Sequence, residues 1–154
     1  MVSGRFNAAI KHLYIFPILP SAIFAVTDRA VFMGNLKNGS WHRVYRADDK
    51  KPLAFAVHPE DPNSWFLGTQ KGLWESEDAG KTWSPSEAFR KSGPVSLLIF
   101  DRQRLFLADD KTLYMILPGN SARTVLDLSG SGPDLAIAET LDPEALEEPV
   151  PGNV

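Results

Sequence analysis

The sequence predicts an all-β fold made of repeated four-stranded antiparallel units, and two observations predict it. The 154 residues include 11 glycines and 12 prolines, and most of these lie between short apolar runs and not inside them, which is typical of strands and turns. The chain also resembles itself at a shift of about 40 residues. With 44% hydrophobic and 23% charged residues, the composition is that of a folded domain.

A fixed spacing relates successive parts of the chain. A shift of 42 residues aligns 13–24 with 55–66, and the two prolines of the first segment fall on the two prolines of the second. A further shift, of 40 residues, aligns 66–67 with 106–107. Most of the chain is therefore three copies of one unit. The copies span about 8–47, 52–89 and 93–127.

The middle copy shows the strands of one unit. Residues 53–57, 64–69 and 72–76 are predicted as strands, and the fourth strand is predicted to begin at Thr82-Trp83. Four strands in a period of about 40 residues are typical of propeller blades. The fold class predicted is thus a β-propeller-type repeat with about three blades. Since closed propellers have about four to eight blades, this is a partial propeller.

The two ends of the chain are predicted from the same register. Residues 13–26 have the apolar character of a secretory signal, but the repeat predicts them as the first strand pair, so we find no convincing signal peptide and expect a soluble, cytoplasmic protein without membrane insertion. Residues 134–138 are predicted as an extra strand that completes a partial propeller over 1–138. Residues 139–154 are predicted as an acidic, proline-containing flexible tail.

Residues 76–83 carry the most specific local motif, Ser-Glu-Asp-Ala-Gly-Lys-Thr-Trp. It resembles the Asp box, S-x-D-x-G-x-T-W, of the BNR repeat family, whose members include sialidases, sortilin-type receptors and photosystem II assembly factors. Residues 59–63 and 68–74 resemble the same family's P-x-x-P-N and G-T-x-x-G-L/V-W spacing. The first copy keeps only a degenerate box, Ser40-Trp41, and the third has Arg123 where the tryptophan belongs.

The resemblance implies a structural role for Ser76, Asp78, Gly80, Thr82 and Trp83. We expect Asp78 to accept hydrogen bonds from nearby N–H groups and Gly80 to adopt a positive φ. Ser76 and Thr82 are expected to pair across the hairpin, and Trp83 is expected to bury its ring between sheets. The alternative is a cation site formed by Asp78 with Glu75 and Glu77.

No catalytic constellation is apparent in the sequence. A sialidase-like enzyme would use an arginine cluster, an acid/base aspartate and a tyrosine paired with a glutamate, and no tyrosine here has an arginine trio of that kind beside it. The three histidines share no metal-ligand spacing, and the absence of cysteine excludes thiolate chemistry. We therefore expect no cofactor and no metal. The tyrosines are Tyr14, Tyr45 and Tyr114, and the histidines are His12, His42 and His58.

The function predicted is a non-catalytic binding or assembly module, with a fragment of a sialidase-like glycoside hydrolase as the alternative. Three blades leave two blade faces without a neighbour, so we expect a protein partner or a second copy of the chain there, and possible carbohydrate binding. The basic residues are scattered along the chain, which speaks against nucleic acid.

Overall fold

Short antiparallel strands joined by turns form the part of the chain that the structure describes. The structure is a computed structural model and describes residues 8–130, in which there are twelve strands and no helix. The first sheet contains β1 (His12–Phe16), β2 (Leu19–Val26), β3 (Ala30–Asn35) and β4 (Trp41–Arg46). The second contains β5 (Pro52–Val57), β6 (Trp65–Thr69), β7 (Gly72–Ser76) and β8 (Ser84–Pro85). The third contains β9 (Leu97–Asp101), β10 (Arg104–Ala108), β11 (Thr112–Ile116) and β12 (Arg123–Asp127).

Each sheet is an antiparallel meander in which strands pair in chain order. The predicted fold class, three four-stranded antiparallel blades of a partial propeller, is confirmed. The apolar segment 13–26 lies in the strand pair β1–β2. The extra strand predicted over 134–138 and the tail predicted over 139–154 lie outside the described residues.

The predicted start of the fourth strand of the second sheet is wrong. That strand is only Ser84–Pro85 and begins after Thr82 and Trp83. Thr82 is held in the preceding turn by the carboxylate of Asp78, to which its N–H donates at 2.9 Å. The indole N–H of Trp83 donates to the carbonyl of Val44 in the first sheet, at 3.0 Å. These two bonds place both residues outside the β-ladder, so the outermost strand is short.

A side-chain oxygen closes the equivalent hairpin in each of the three sheets. Thr27 accepts hydrogen bonds from the N–H groups of residues 29 and 30 at 3.1 Å. Thr69 accepts one from residue 71 at 3.0 Å, and Asp109 accepts two from residues 111 and 112 at 2.8 and 2.7 Å. This turn requires a side-chain oxygen that lies close to the backbone, and both threonine and aspartate supply one.

Side chains between neighbouring sheets form two separate clusters. The first core cluster lies between the first and second sheets and contains Phe24, Val26, Val31, Tyr45, Phe55, Val57, Trp65 and Leu67. The second core cluster lies between the second and third sheets and contains Ala54, Ala56, Leu73, Phe89, Val95, Leu98, Leu105, Leu107 and Tyr114. Successive residues of a strand point to opposite faces, so the second sheet is covered on both faces. The first and third sheets each keep an outward face, which is the face that turns away from the second sheet.

Candidate functional site

The turn over residues 76–83 is built around the carboxylate of Asp78. Ser76 Oγ donates to Asp78 Oδ1 at 2.8 Å, and Thr82 Oγ1 donates to Asp78 Oδ2 at 2.6 Å. The Gly80 N–H in turn donates to Ser76 Oγ at 2.8 Å. The hydroxyl and the N–H of Thr82, together with the hydroxyl of Ser76, donate to the Asp78 carboxylate and hold its pKa at about 2, below the ordinary value of 3.8. The charged form of Asp78 therefore organises this turn.

Two details of the turn differ from what the motif predicts. Ser76 and Thr82 do not bond to each other, because each donates its hydroxyl to a different oxygen of Asp78. Trp83 lies between the first and second sheets, but its side chain is only half-buried. Its ring packs edge to face on Tyr45 at 5.9 Å between centroids. Trp83 therefore joins the turn to the first sheet.

Gly80 has no room for a side chain. Its φ is +84°, and a Cβ atom there would lie 2.5 Å from the ring of Trp65. Trp65 is itself fixed by an indole N–H that donates to the carbonyl of Pro62 at 2.8 Å. The glycine thus lets the turn pack directly on the largest ring of the first core cluster.

The degenerate box of the first copy forms a different turn. Asn38 Oδ1 there accepts hydrogen bonds from Ser40 N and Ser40 Oγ at 2.9 and 2.7 Å. Trp41 is the first residue of β4 and pairs with Gly34, and a Cβ atom on that glycine would lie 2.9 Å from the Trp41 ring. Trp41 lies on the outward face of the first sheet, whereas Trp83 faces the first core cluster.

The outward faces of the first and third sheets are apolar and open. On β1, Leu13 is 58% exposed and Ile15 is 60% exposed, while on β9 Leu97 is 64% exposed and Ile99 is 65% exposed. The second-sheet residues at the positions equivalent to Leu13 and Ile15 are Phe55 and Val57, which are 0% and 3% exposed. Large apolar side chains that are grouped on an exposed sheet face are typical of an interaction surface.

A cleft of 560 Å³ opens between the second and third sheets, next to the turn over residues 76–83. The rings of Phe66 and Phe100 line it and meet edge to face at 5.3 Å. Three glutamates also line it, of which Glu87 pairs with Arg90 at 3.1 Å. The residues that line the cleft lie between positions 58 and 121, and none of them is a lysine or an arginine. The other two glutamates are Glu75 and Glu77.

Glu75 occupies a position that is methionine in the other two copies. It pairs with Phe66, as Met33 pairs with Phe24 and Met115 with Phe106. The side chain of Glu75 is half-buried. The alignment of the copies contains this signal, because the shifts of 42 and 40 residues bring the three positions together, whereas the sequence motif indicates Glu75 only as a ligand of the alternative cation site.

The first strands of the three sheets contact one another in succession, β1 with β5 and β5 with β9. Beside them is an apolar cavity of 410 Å³. Its lining includes Tyr14, Phe16, Phe55, Val57, Leu98 and Phe100. Burial raises the pKa of the Tyr14 hydroxyl. The cavity supplies apolar surface and few polar groups.

Over residues 8–130, no three His, Asp or Glu side chains are placed to hold a metal ion. The three histidines lie on different elements: His12 on β1, His42 on β4 and His58 after β5. Within the same range no helix has the length and apolar character needed to span a membrane.

No family model matches the chain, and no curated protein matches it. Similar solved structures include an ancestral GH74 enzyme, with a TM-score of 0.68 and 19% identity over 82% of this chain and 19% of that one. The GH74 xyloglucanase from Xanthomonas campestris has a TM-score of 0.60 and 17% identity over 81% of this chain and 24% of that one. The RRP9 WD40 repeats have a TM-score of 0.61 and 18% identity over 79% of this chain and 40% of that one.

This chain therefore spans between about a fifth and two-fifths of the structures it resembles. At such identities the likeness concerns the fold alone. Both groups of structures are propellers. Over residues 8–130 the fold is a partial β-propeller of three blades.

Proposed function

We propose that this chain is a non-catalytic binding or assembly module of the Asp-box propeller type, whose outward sheet faces bind a protein partner. One observation carries the proposal. The second sheet is covered on both faces, whereas Leu13 and Ile15 on the first sheet and Leu97 and Ile99 on the third are mostly exposed. A partner protein that covers these side chains removes their apolar surface from water, as the neighbouring sheets already do for the second sheet.

In this proposal the Asp-box residues have a structural role. Asp78 uses both carboxylate oxygens to bind Ser76 and Thr82, which leaves it engaged inside its own turn. Trp83 then attaches the turn to the first sheet through the carbonyl of Val44. The turn therefore stabilises the contact between two blades, and the outward faces remain the surfaces that bind.

Lysine substitution distinguishes a binding face from a core. Ile15→Lys and Ile99→Lys should change the thermal midpoint little at concentrations where light scattering reports a monomer, because both side chains are already in water. Leu107→Lys, at a buried position, should unfold the chain. The two surface variants should also abolish every association seen with the unchanged protein. A large loss of midpoint in the monomeric Ile15→Lys or Ile99→Lys protein would contradict the proposal, since it would mean that the faces are already covered.

The cleft favours a second candidate function, that of a fragment of a sialidase-like glycoside hydrolase. The cleft contains Glu75 and Glu77 beside two phenyl rings, and a pair of carboxyl groups is what most glycoside hydrolases use, whereas sialidases themselves use a tyrosine nucleophile. Such an enzyme should release the aryl group from one member of an aryl glycoside panel, and Glu75→Gln should remove that activity. Turnover that survives in both Glu75→Gln and Glu77→Gln, or no turnover of any substrate, would exclude this candidate.

A further inference from the structure

We propose that the partner of the outward faces is a second copy of this chain, bound head to tail so that two chains close a ring of six blades. The inference rests on the proposed function, since it names the protein that the outward faces bind. It is carried by the internal repeat, which shows what each outward face is built to meet.

The outward face of the first sheet repeats a face that is buried in the second sheet. The shift of 42 residues places Leu13, Ile15, Ile23 and Ala25 on Phe55, Val57, Trp65 and Leu67. The latter four belong to the first core cluster, where they pack against the first sheet. The outward face of the first sheet is therefore equivalent to a face that packs against the blade before it in the chain.

The outward face of the third sheet repeats the opposite face of the second sheet. Ile99 pairs with Phe106 across β9 and β10, as Ala56 pairs with Phe66 across β5 and β6. Ala56 belongs to the second core cluster, against which Phe66 also packs, and both contact the third sheet there. The exposed Ile99 thus lies on a face that is equivalent to one that packs against the blade after it in the chain.

Each chain therefore presents both surfaces of the blade-to-blade contact, one on its first sheet and one on its third. The same contact already occurs twice within the chain. A second copy supplies the missing half at each end, and the contact is continuous with the two interfaces already present. Two copies joined in this way form two equivalent interfaces and contain six blades, which lies within the usual range of four to eight. Closure after two chains also leaves no outward face to recruit a third.

The repeat also predicts which residues meet across the new interface. Ile99 in the third sheet and Tyr14 in the first sheet occupy equivalent positions, because both correspond to Ala56 in the second sheet. The ring of Tyr14 lies 6.2 Å from that of Phe55, and Phe55 corresponds to Leu13. Ile99 of one copy should therefore contact Leu13 of the other copy.

A charge-pair experiment on the full chain tests this contact. Sedimentation and light scattering over a concentration series should give twice the chain mass of 17.0 kDa. Leu13→Lys and Ile99→Glu should each raise the dissociation constant at least about a hundredfold, because an unpaired charge would be buried at both interfaces. An equimolar mixture of the two variants should recover a dimer, because one interface then joins the new lysine to the new glutamate and the other is unchanged.

The controls separate pairing from folding. Leu36→Lys, at an exposed leucine in the loop between β3 and β4, should leave the dimer intact. Each variant should keep the β-sheet circular dichroism spectrum of the unchanged chain. A mixture that stays monomeric while the unchanged chain dimerises would overturn the head-to-tail arrangement. An unchanged chain that is monomeric at every concentration would overturn self-pairing, while the proposed function would still stand if the lysine variants at 15 and 99 fold normally and a different protein binds there.

Discussion

The two interfaces between blades share a backbone pattern but differ in how they are filled. The first core cluster is aromatic, with the ring of Phe55 at 4.7 Å from Phe24 and 5.5 Å from Trp65. The second has alanines at 54 and 56 and leucines opposite them, and the 560 Å³ cleft opens at its edge. The repeat thus fixes where strands pair, whereas side-chain volume decides whether two blades close completely.

The largest expected effect comes from removing the central ring of the first interface. Trp65→Ala should lower the free energy of unfolding by about 3–5 kcal/mol, because a fully buried ring leaves a large cavity. Leu105 occupies the equivalent position in the third sheet and lines the cleft, so Leu105→Ala should cost about 2–3 kcal/mol. Urea unfolding of the two variants measures the difference. Equal losses would mean that the two interfaces are equally well packed.

Substitution of Gly80 tests how the turn over residues 76–83 packs on the first interface. Gly80→Ala should cost about 2–3 kcal/mol, because a left-handed φ is strained in alanine and the new Cβ would also displace the Trp65 ring. Gly39 is the matched control, since its φ is +73° but nothing lies within 4 Å of its position. Gly39→Ala should therefore cost only about 1 kcal/mol. Similar losses at both glycines, in the same urea titration, would show that contact with Trp65 is unimportant.

The sequence predicts the blades well because strand and turn signals are local. Residues 72–76 are predicted as a strand and form one, since a glycine turn precedes them and the turn over residues 76–83 follows. Thr82 and Trp83 were assigned to a strand because of their β-propensity, but bonds to Asp78 and Val44 override it. The hairpin-closing role of Thr27, Thr69 and Asp109 is not predicted from the sequence, since no motif marks these positions and the third copy has aspartate where the first two have threonine.

The candidate surfaces were harder to predict from the sequence, for a physical reason. Residues 13–16 of β1 are all apolar or aromatic, so hydrophobic periodicity does not show which of them face outward. In the structure Leu13 faces outward and Tyr14 faces the first core cluster. Only the position of the neighbouring sheet distinguishes them. The cleft likewise depends on how two consecutive sheets pack against each other, and Glu75 carries no motif of its own.

The carboxylate of Asp78 makes the sealed interface sensitive to acid. Because the folded pKa of about 2 lies below the ordinary 3.8, Asp78 contributes stability that is present above pH 4 and is lost as the pH falls toward 2. Asp78→Asn should lower the thermal midpoint at pH 7 and flatten its decline between pH 4 and 2. Asp49→Asn is the control for general carboxylate effects, since Lys71 also lowers that pKa. Identical pH profiles for the Asp78 and Asp49 variants would remove the special role of the turn.

Glu75 should give the smallest effect, and in the opposite direction. Glu75→Met restores the residue of the other two copies at a half-buried position opposite Phe66, so it should raise the free energy of unfolding by about 1 kcal/mol. Glu77→Met, at an exposed position on the same cleft, should give no gain. A stabilising methionine would mean that the second interface is kept open at a cost in stability, as is common where a carboxylate serves a ligand. A loss of stability would instead make Glu75 part of the packing, and the cleft would then be an incidental gap between two blades.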